Sequence, residues 1–238
     1  MRQLENTDVV ILAGGLGKRL KDVTGGGQKV LVKIDGKPFI EILIDYIAAQ
    51  GGKRFILCTG HGAQEVEEHF KKNRPDLNVV FSIEQEPLGT GGAIKQGAGL
   101  VKTENFLAMN GDCFCVIDYN KFIAAHHARQ ANASIAITRM EDARDYGTIE
   151  FNANHEIQAF KEKRPEAVAA YINTGTYCFK REVFSLVNTA QKFSIEYDFF
   201  PHLVGKKFFT HEVGNQFIDI GTPDRYAWAQ EHLKSLKG

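Results

Sequence analysis

A short apolar run near the start of the chain passes directly into a glycine-rich segment. Val9, Val10 and Ile11 are followed by Leu12-Ala13-Gly14-Gly15-Leu16-Gly17-Lys18-Arg19-Leu20. Glycine lets a backbone turn sharply and approach a ligand closely, and free backbone N–H groups beside two cations form a binding site for polyphosphate. The segment therefore predicts a strand that ends in a nucleotide-binding loop.

Two better-known phosphate loops do not match this segment. The Walker pattern requires Ser or Thr after its lysine, but Arg19 follows Lys18. The dinucleotide pattern G-x-G-x-x-G, begun at Gly15, requires glycine where Leu20 stands. These mismatches disfavour an ATPase or a dehydrogenase, and a plain glycine turn that closes a strand is the alternative.

Composition limits the class of partner. The chain has 238 residues, of which 43% are hydrophobic, and we expect a single domain over residues 1–238. Because 29 basic residues balance 29 acidic ones, neither nucleic acid nor a membrane is expected as a partner. The four cysteines form no C-x-x-C pair, which disfavours zinc and disulfides. The sequence contains neither a signal peptide nor a membrane-spanning run, so a cytoplasmic location is expected.

Apolar runs alternate with helical patterns in the first half of the chain, which is typical of a mostly parallel sheet covered on both faces. In the second half, strand-like runs have less helix between them, which predicts an antiparallel extension. Strands are predicted at residues 9–13, 55–58, 79–81, 106–109, 133–138, 148–151, 157–160 and 171–179, and helices at 39–50, 64–72 and 93–100. A last helix is predicted from Pro223 to about residue 236, with Thr222 as its N-cap.

Asp112 and Asp219 are the candidate metal ligands. Asp112 ends a hydrophobic strand, at the sheet edge where open α/β proteins bind their ligands, although a turn aspartate is the alternative. Asp219 stands between apolar residues, where burial is costly unless a cation compensates for the charge. Two carboxylates together with phosphate oxygens make the sparse ligand shell that Mg²⁺ prefers.

Other polar residues stand at the ends of predicted elements. Lys29 joins a glycine run to an apolar segment that we interpret as a strand; it can close over a phosphate, or it is an ordinary surface lysine. A second glycine-rich turn at residues 84–93 opens a helix, and a nucleoside edge fits against it. Candidates for binding a sugar phosphate follow at strand edges: Tyr146-Gly147, residues 160–163 and residues 173–175.

Taken in order, these segments resemble the sugar-1-phosphate nucleotidylyltransferases over essentially the whole chain. The resemblance rests on residues 12–20, Lys29, Lys37-Pro38, residues 88–92, Gly111-Asp112, Glu162-Lys163, residues 173–175 and residues 219–222. It implies a Rossmann-like, three-layer α/β fold of the GT-A-like type. It also implies transfer of a nucleoside monophosphate from an NTP to a sugar 1-phosphate with Mg²⁺ as cofactor, and it leaves a homo-oligomer open.

The resemblance further implies a role for each matching residue. Arg19 and Lys29 are expected to be catalytic, and Asp112 and Asp219 to hold the metal. The residues expected to bind the nucleotide are Leu12, Ala13, Gly14, Gly15, Gly17, Lys18, Glu84, Glu86, Gly89, Thr90 and Gly91. Those expected to bind the sugar phosphate are Asn110, Gly147, Glu162, Lys163, Asn173 and Thr174.

Three positions depart from the family pattern. Lys18 stands where threonine is usual, Cys113 replaces a hydroxyl residue, and Gln28 replaces a proline whose ring would have restricted the loop. None of these departures removes a residue that the chemistry needs.

Residues 81–94 and 217–222 look most like those of the D-glycero-D-manno-heptose 1-phosphate guanylyltransferases, which implies GTP and a heptose 1-phosphate as substrates. A carboxylate can accept from both N1–H and N2–H₂ of guanine, so Glu84 or Glu86 is the candidate reader of the base, unless both are ordinary loop residues.

Other functions stay open at this point. They are uridylyl or other nucleotidylyl transfer to a hexose or amino-sugar 1-phosphate, a cytidylyltransferase of a non-sugar alcohol phosphate, and a non-catalytic nucleotide sensor. A glycosyltransferase on a similar sheet is a further alternative, but it would be expected to carry a D-x-D motif. The segment Asp112-Cys113-Phe114 does not supply one.

Overall fold

The computed structural model describes residues 2–15, 17–20, 25, 27–161 and 168–236. The strands in these ranges are β1 (Asp8–Leu12), β2 (Lys33–Ile34), β3 (Lys37–Pro38), β4 (Arg54–Thr59), β5 (Asn78–Ile83), β6 (Asn105–Asn110), β7 (Cys113–Cys115), β8 (Ala133–Met140), β9 (Thr148–Phe151), β10 (Ile157–Lys161), β11 (Ala170–Lys180), β12 (Phe208–Glu212) and β13 (Phe217–Asp219). The α-helices are α1 (Phe39–Ala49), α2 (Ala63–Asn73), α3 (Gly89–Ala98), α4 (Tyr119–Ala128), α5 (Phe200–Leu203) and α6 (Pro223–Leu236).

Strand β1 lies near the middle of a nine-stranded mixed sheet, whose main path is β10-β9-β11-β6-β1-β4-β5. Strands β1, β4, β5 and β6 run parallel, whereas β11 runs antiparallel to β6 and begins the second half of the sheet. Strand β8 pairs antiparallel with β11. The predicted mixed sheet with an antiparallel extension is therefore confirmed, although β12 joins β8 in parallel.

Apolar side chains of successive β1 residues enter two cores, one on each face of the sheet. Val9 and Ile11 pack with residues of α1, α2, α4 and α6, whereas Val10 packs with residues of α3 and α5. Side chains of a strand alternate between faces, so a run that is apolar throughout must be covered on both sides. This arrangement gives the three layers that the sequence predicts.

Two local predictions are wrong. Helix α3 begins at Gly89 rather than at residue 93, so the second glycine-rich segment forms its first turn. The apolar segment that begins directly after Lys29 is interpreted as a strand, but Lys29–Leu31 form a 3₁₀ turn, and the short strand β2 begins only at Lys33. The amide N–H of Val32 donates to the carbonyl O of Lys29 at 3.2 Å, which closes this turn. A short apolar run does not distinguish a buried turn from a strand by periodicity alone.

The parallel strands bring four loops to one edge of the sheet. Leu12 stands in register with Cys58 of β4 and with Asn110 of β6. The small antiparallel pair β7–β13 places Asp219 opposite Cys113. The polar residues that follow β1, β5, β6 and β13 therefore converge at the carboxyl edge of the sheet.

Among the described residues, no helix combines the length and the apolar character needed to cross a membrane.

Candidate active site

An open cleft runs along the carboxyl edge of the sheet as three adjoining cavities of about 800, 340 and 480 Å³. Lys29 and Asp112 line all three cavities, so they mark the place where the cavities meet. We refer to the cavities, in that order, as the first, second and third.

The first cavity is lined by five of the eleven predicted nucleotide-binding residues and by the predicted catalytic Arg19. Gly14, Gly15, Gly17 and Arg19 line it on one side, and Glu84 and Glu86 line it on the other. Leu12, Gly89 and Thr90 line the adjoining second cavity, together with Gly14, Gly15 and Glu84. The structure thus brings both glycine-rich segments to the same part of the cleft.

The two candidate base-reading acids differ in how they are held. The amide N–H of Leu88 donates to Glu84 Oε2 at 2.8 Å, and the backbone of Glu84 is tied to Thr59 by a 2.8 Å hydrogen bond. A Cβ atom added to Gly14 would lie 3.6 Å from Glu84 Oε1. Glu86 is exposed. Glu84 is therefore the fixed carboxylate that faces the glycine loop.

Lys29 is buried, with only 9% of its surface exposed. Its amide N–H donates to the carbonyl O of Gly15 at 3.3 Å, which ties it to the glycine loop. Its ammonium group donates to Asp112 Oδ2. A buried lysine with a carboxylate partner is not the solvated surface lysine that the sequence left as the alternative.

Asp112 and Asp219 lie side by side because β7 and β13 pair. The amide N–H of Ile220 donates to the carbonyl O of Asp112 at 3.0 Å, so the two acids flank the ends of neighbouring strands. Burial, together with the negative charges of Asp112 and Asp219, raises the pKa of the Cys113 thiol. Cys113 therefore stays a neutral thiol beside the two carboxylates.

The Asp219 carboxylate has all of its acceptor positions in use. Arg225 Nη1 donates to Oδ1 at 3.1 Å and to Oδ2 at 2.9 Å. The amide N–H of Gly221 donates to Oδ1 at 2.9 Å, and the Tyr146 hydroxyl donates to Oδ2 at 2.7 Å. A carboxylate offers about four lone-pair positions. Burial and the hydrogen bond to Asp219 raise the pKa of Tyr146, so this hydroxyl remains a donor.

The third cavity contains part of the predicted sugar-phosphate set. Asn110, Gly147 and Asn173 line it, together with Asp112 and Asp219. Asn110 Oδ1 is buried and has no hydrogen-bond partner in the described part of the chain. An unpaired buried acceptor that lines a cavity is suited to a hydroxyl donor of a ligand.

Three predicted contact residues do not face the cleft in a way that suits a ligand. Thr174 is fully buried, and its hydroxyl donates to the carbonyl O of Ala136 at 2.9 Å. Ala13 is also fully buried, and its amide N–H donates to Cys58 at 2.7 Å. A Cβ atom on Gly91 would lie 2.2 Å from the Phe193 ring, so this glycine serves packing. The predicted contacts of Glu162, Lys163 and the Lys18 side chain lie outside the described part of the chain.

Two residues that the site prediction omits, Arg225 and Glu196, lie in the cleft. Arg225 and Tyr146 hold Asp219, and Glu196 lines the third cavity. The sequence contains a signal for Arg225, because a cation in the first turn of a helix opposes the helix dipole and needs an acidic partner. Glu196 had none, since nothing in its segment marks it as different from a surface acid.

Comparison with known proteins identifies the family of the chain. Residues 8–235 match the nucleotidyl transferase family, to which the chain therefore belongs.

The similar proteins narrow the comparison within that family. D-glycero-alpha-D-manno-heptose 1-phosphate guanylyltransferase of Aneurinibacillus thermoaerophilus is 36% identical over 95% of this chain and 98% of its own. The protein of the same name from Campylobacter jejuni is 34% identical over 91% of this chain and 96% of its own. The crystal structure of HddC from Yersinia pseudotuberculosis complexed with GMP-PN has a TM-score of 0.84 and 37% identity, covering 95% of this chain and 99% of that one.

The contacts of Asp219 predict unequal effects for two arginines. Arg225→Gln should lower the free energy of unfolding by about 1–2 kcal/mol, because Asp219 loses its cation while its side chain is only 10% exposed. Arg144→Gln, which removes an arginine paired with Asp142 at the surface, should leave the stability unchanged. Urea unfolding of both variants measures the difference. Equal losses would contradict the assignment of Arg225 as the partner that Asp219 requires.

Proposed function

We propose that the protein transfers GMP from GTP to the phosphate of D-glycero-α-D-manno-heptose 1-phosphate and releases pyrophosphate. The observation that carries the proposal is the cleft, in which the glycine-lined cavities and the polar third cavity, where we place the sugar, meet at Lys29 and Asp112. The similarity to two guanylyltransferases of this heptose phosphate supports the choice of substrates.

The chemistry requires no covalent enzyme intermediate. An oxygen of the sugar phosphate, already an anion at neutral pH, attacks the α-phosphorus of GTP in line. The new P–O bond forms as the bond from the α-phosphorus to the bridging oxygen of the β-phosphate breaks, and pyrophosphate leaves with that electron pair. The protein contributes position and charge: Arg19 binds the departing pyrophosphate and Lys29 stabilises the charge at the α-phosphorus.

Glu84 is the residue that we propose to read guanine. Its Oε2 already accepts from the Leu88 amide, so the carboxylate plane is held, and Oε1 is directed towards the glycine loop. A held carboxylate can accept from N1–H and N2–H₂ of guanine together, a pair of donors that uracil and thymine do not offer.

Replacement of this acid tests the base assignment. Glu84→Gln should lower kcat/KM for GTP by roughly 10- to 100-fold, and it should reduce the preference for GTP over ITP, which lacks the 2-amino group. The matched control is Glu86→Gln, a neighbouring but exposed acid, which should leave the preference unchanged. A preference that persists in Glu84→Gln would assign base recognition to other groups.

We further propose that Asp112 and Asp219 hold Mg²⁺. Their oxygens are hard donors, which suits this ion, although all four acceptor positions of Asp219 are engaged by the protein. For Mg²⁺ to bind, Arg225 or Tyr146 must therefore release one hydrogen bond to Asp219. The Asp112 carboxylate must then contact both Lys29 and the metal ion. When bound, Mg²⁺ would neutralise phosphate charge between the two substrates. Within the described residues, no group of three or more His, Cys, Asp or Glu side chains is suited to a metal, so substrate oxygens must complete the shell.

The metal proposal is tested by Asp112→Asn. Turnover should fall by about 100-fold or more, because the variant loses a charged metal ligand. Binding of Mn²⁺ in the presence of a non-reactive GTP analogue, followed by electron paramagnetic resonance, should weaken in parallel. Asp145→Asn is the control and should retain Mn²⁺, because this exposed acid pairs with Arg225 Nη2 and is not one of the two proposed metal ligands. Unchanged Mn²⁺ binding by Asp112→Asn would remove this residue from the metal site.

The substrates are tested by pyrophosphate release, measured with each common NTP against a panel of sugar 1-phosphates. We expect release with GTP and the manno-heptose 1-phosphate, which would give an activated heptose for surface polysaccharide synthesis in the cytoplasm. Release with another pair, such as UTP and a hexose 1-phosphate, would keep the reaction but replace the substrates. No release from a folded protein across the whole panel would favour the nucleotide-sensing alternative.

A further inference from the structure

Glu196 is a carboxylate in the third cavity that the proposed reaction does not yet use. It lies in a π-helical turn, Ile195–Phe199, directly before α5, and it faces the same cavity as Asn173 and Gly147. Single π-helical turns are uncommon and are frequently found at functional sites. This position is at the sugar end of the cleft.

The hydrogen bonds of Glu196 leave one acceptor position open. Its Oε2 accepts from the hydroxyls of Thr90 at 3.1 Å and Ser194 at 3.0 Å. Its Oε1 accepts from the Tyr177 hydroxyl at 3.4 Å, a long contact. Because a carboxylate offers about four lone-pair positions, Oε1 retains one. Asp219, whose positions are all filled by protein donors, shows the contrasting case.

The charge of Glu196 is balanced differently from those of Asp112 and Asp219. Asp112 is paired with Lys29, and Asp219 with Arg225. Glu196 forms no ion pair with any cation in the described ranges, and its contacts there are to neutral hydroxyls. Glu196 is half-buried, and without a cation only hydrogen bonds offset the cost of desolvating its charge. Each additional hydrogen-bond donor therefore stabilises this carboxylate. A ligand hydroxyl at Oε1 would supply the missing donor.

The neighbouring hydroxyls are themselves fixed, which gives Glu196 a defined orientation. The Thr90 hydroxyl accepts from the amide N–H of Ile195 at 2.9 Å, so its proton is directed to Glu196. Asn173 Nδ2 donates to the Tyr177 hydroxyl at 2.8 Å, which directs that proton to Glu196 as well. Neither hydroxyl can turn its proton away without losing a bond. The open position of Oε1 is therefore preset before a ligand arrives.

We infer that Glu196 accepts a hydrogen bond from a hydroxyl of the sugar and thereby determines which sugar 1-phosphate the enzyme accepts. This inference rests on the proposed function. A sugar ring provides several hydroxyl donors, whereas its phosphate is repelled by a carboxylate, so the contact selects for the ring and not for the phosphate. Three hydroxyls fix the Glu196 carboxylate and leave one acceptor position open. A sugar analogue that cannot donate to this position binds more weakly, because the acceptor is then left unpaired.

The test compares Glu196→Gln with the unchanged protein in steady-state kinetics. KM for the heptose 1-phosphate should rise roughly 10- to 100-fold, because a hydrogen bond to a charged acceptor is lost. KM for GTP should stay within about 2-fold, since we place the base and triphosphate in the first cavity, which Glu196 does not line. Glu182→Gln changes an exposed acid outside the cleft and is the matched control. Thermal unfolding of each variant verifies the fold.

Monodeoxy analogues of the sugar phosphate separate recognition from a structural role. For the analogue that lacks the recognised hydroxyl, the unchanged protein should lose affinity and Glu196→Gln should lose little more. Additive losses with every analogue, or equal rises in both KM values, would overturn the inference. Glu196→Asp, which keeps the charge but withdraws it from the sugar, should behave as Glu196→Gln does.

The proposed function and this inference fail in different ways. If the unchanged protein releases no pyrophosphate with any substrate pair, the proposed function fails, and binding of the heptose 1-phosphate by calorimetry then tests Glu196 directly. An active protein whose use of the sugar is unaffected by Glu196→Gln would refute only the inference.

Discussion

The parallel pairing of β1 with β6 is the contact on which the cleft depends. Leu12 stands in register with Asn110, and the amide N–H of Gly111 donates to the carbonyl O of Leu12 at 2.9 Å. A Cβ atom on residue 111 would lie 2.4 Å from that oxygen, so this approach requires glycine. The bond joins the loop that carries Gly14 to the loop that carries Asp112. The glycine-lined end of the cleft and the Asp112 carboxylate are therefore held at a defined separation.

Opposite charges are paired one to one inside the cleft. Lys29 neutralises Asp112 and Arg225 neutralises Asp219, in a chain whose formal net charge is zero. The Asp219 side chain is only 10% exposed and the Asp112 side chain is partly buried, so an unpaired charge at either position would be costly. The nucleotide and metal ion that we propose to bind here would bring both signs of charge into this space, so these residues could exchange partners without a large change in local charge. A chain without a basic surface can thus belong to a family that acts on polyphosphates.

The sequence predicts the elements best where periodicity is strong. Helix α1 is predicted at residues 39–50 and found at Phe39–Ala49, and each predicted strand of the sheet lies within a residue or two of its observed bounds. The errors arise where glycine or a short apolar run can adopt more than one local structure. Gly91 belongs to the second glycine-rich segment and is predicted to bind the nucleotide, but the Phe193 ring leaves no room for a side chain there. Spacing in a motif does not reveal what packs against it.

What the sequence by itself determined is the fold class, the chain order of the loops and the charged residues they carry. Glycine positions, strand patterning and the isolated acids Asp112 and Asp219 are local properties, so they can be read without coordinates. What only the tertiary structure decided is which side chain satisfies which charge. Arg225 pairs with Asp219, the Thr174 side chain lies in the core, and Glu196 retains an open acceptor position. The sequence does not show these outcomes, because each depends on groups distant in sequence that meet only after the sheet has formed.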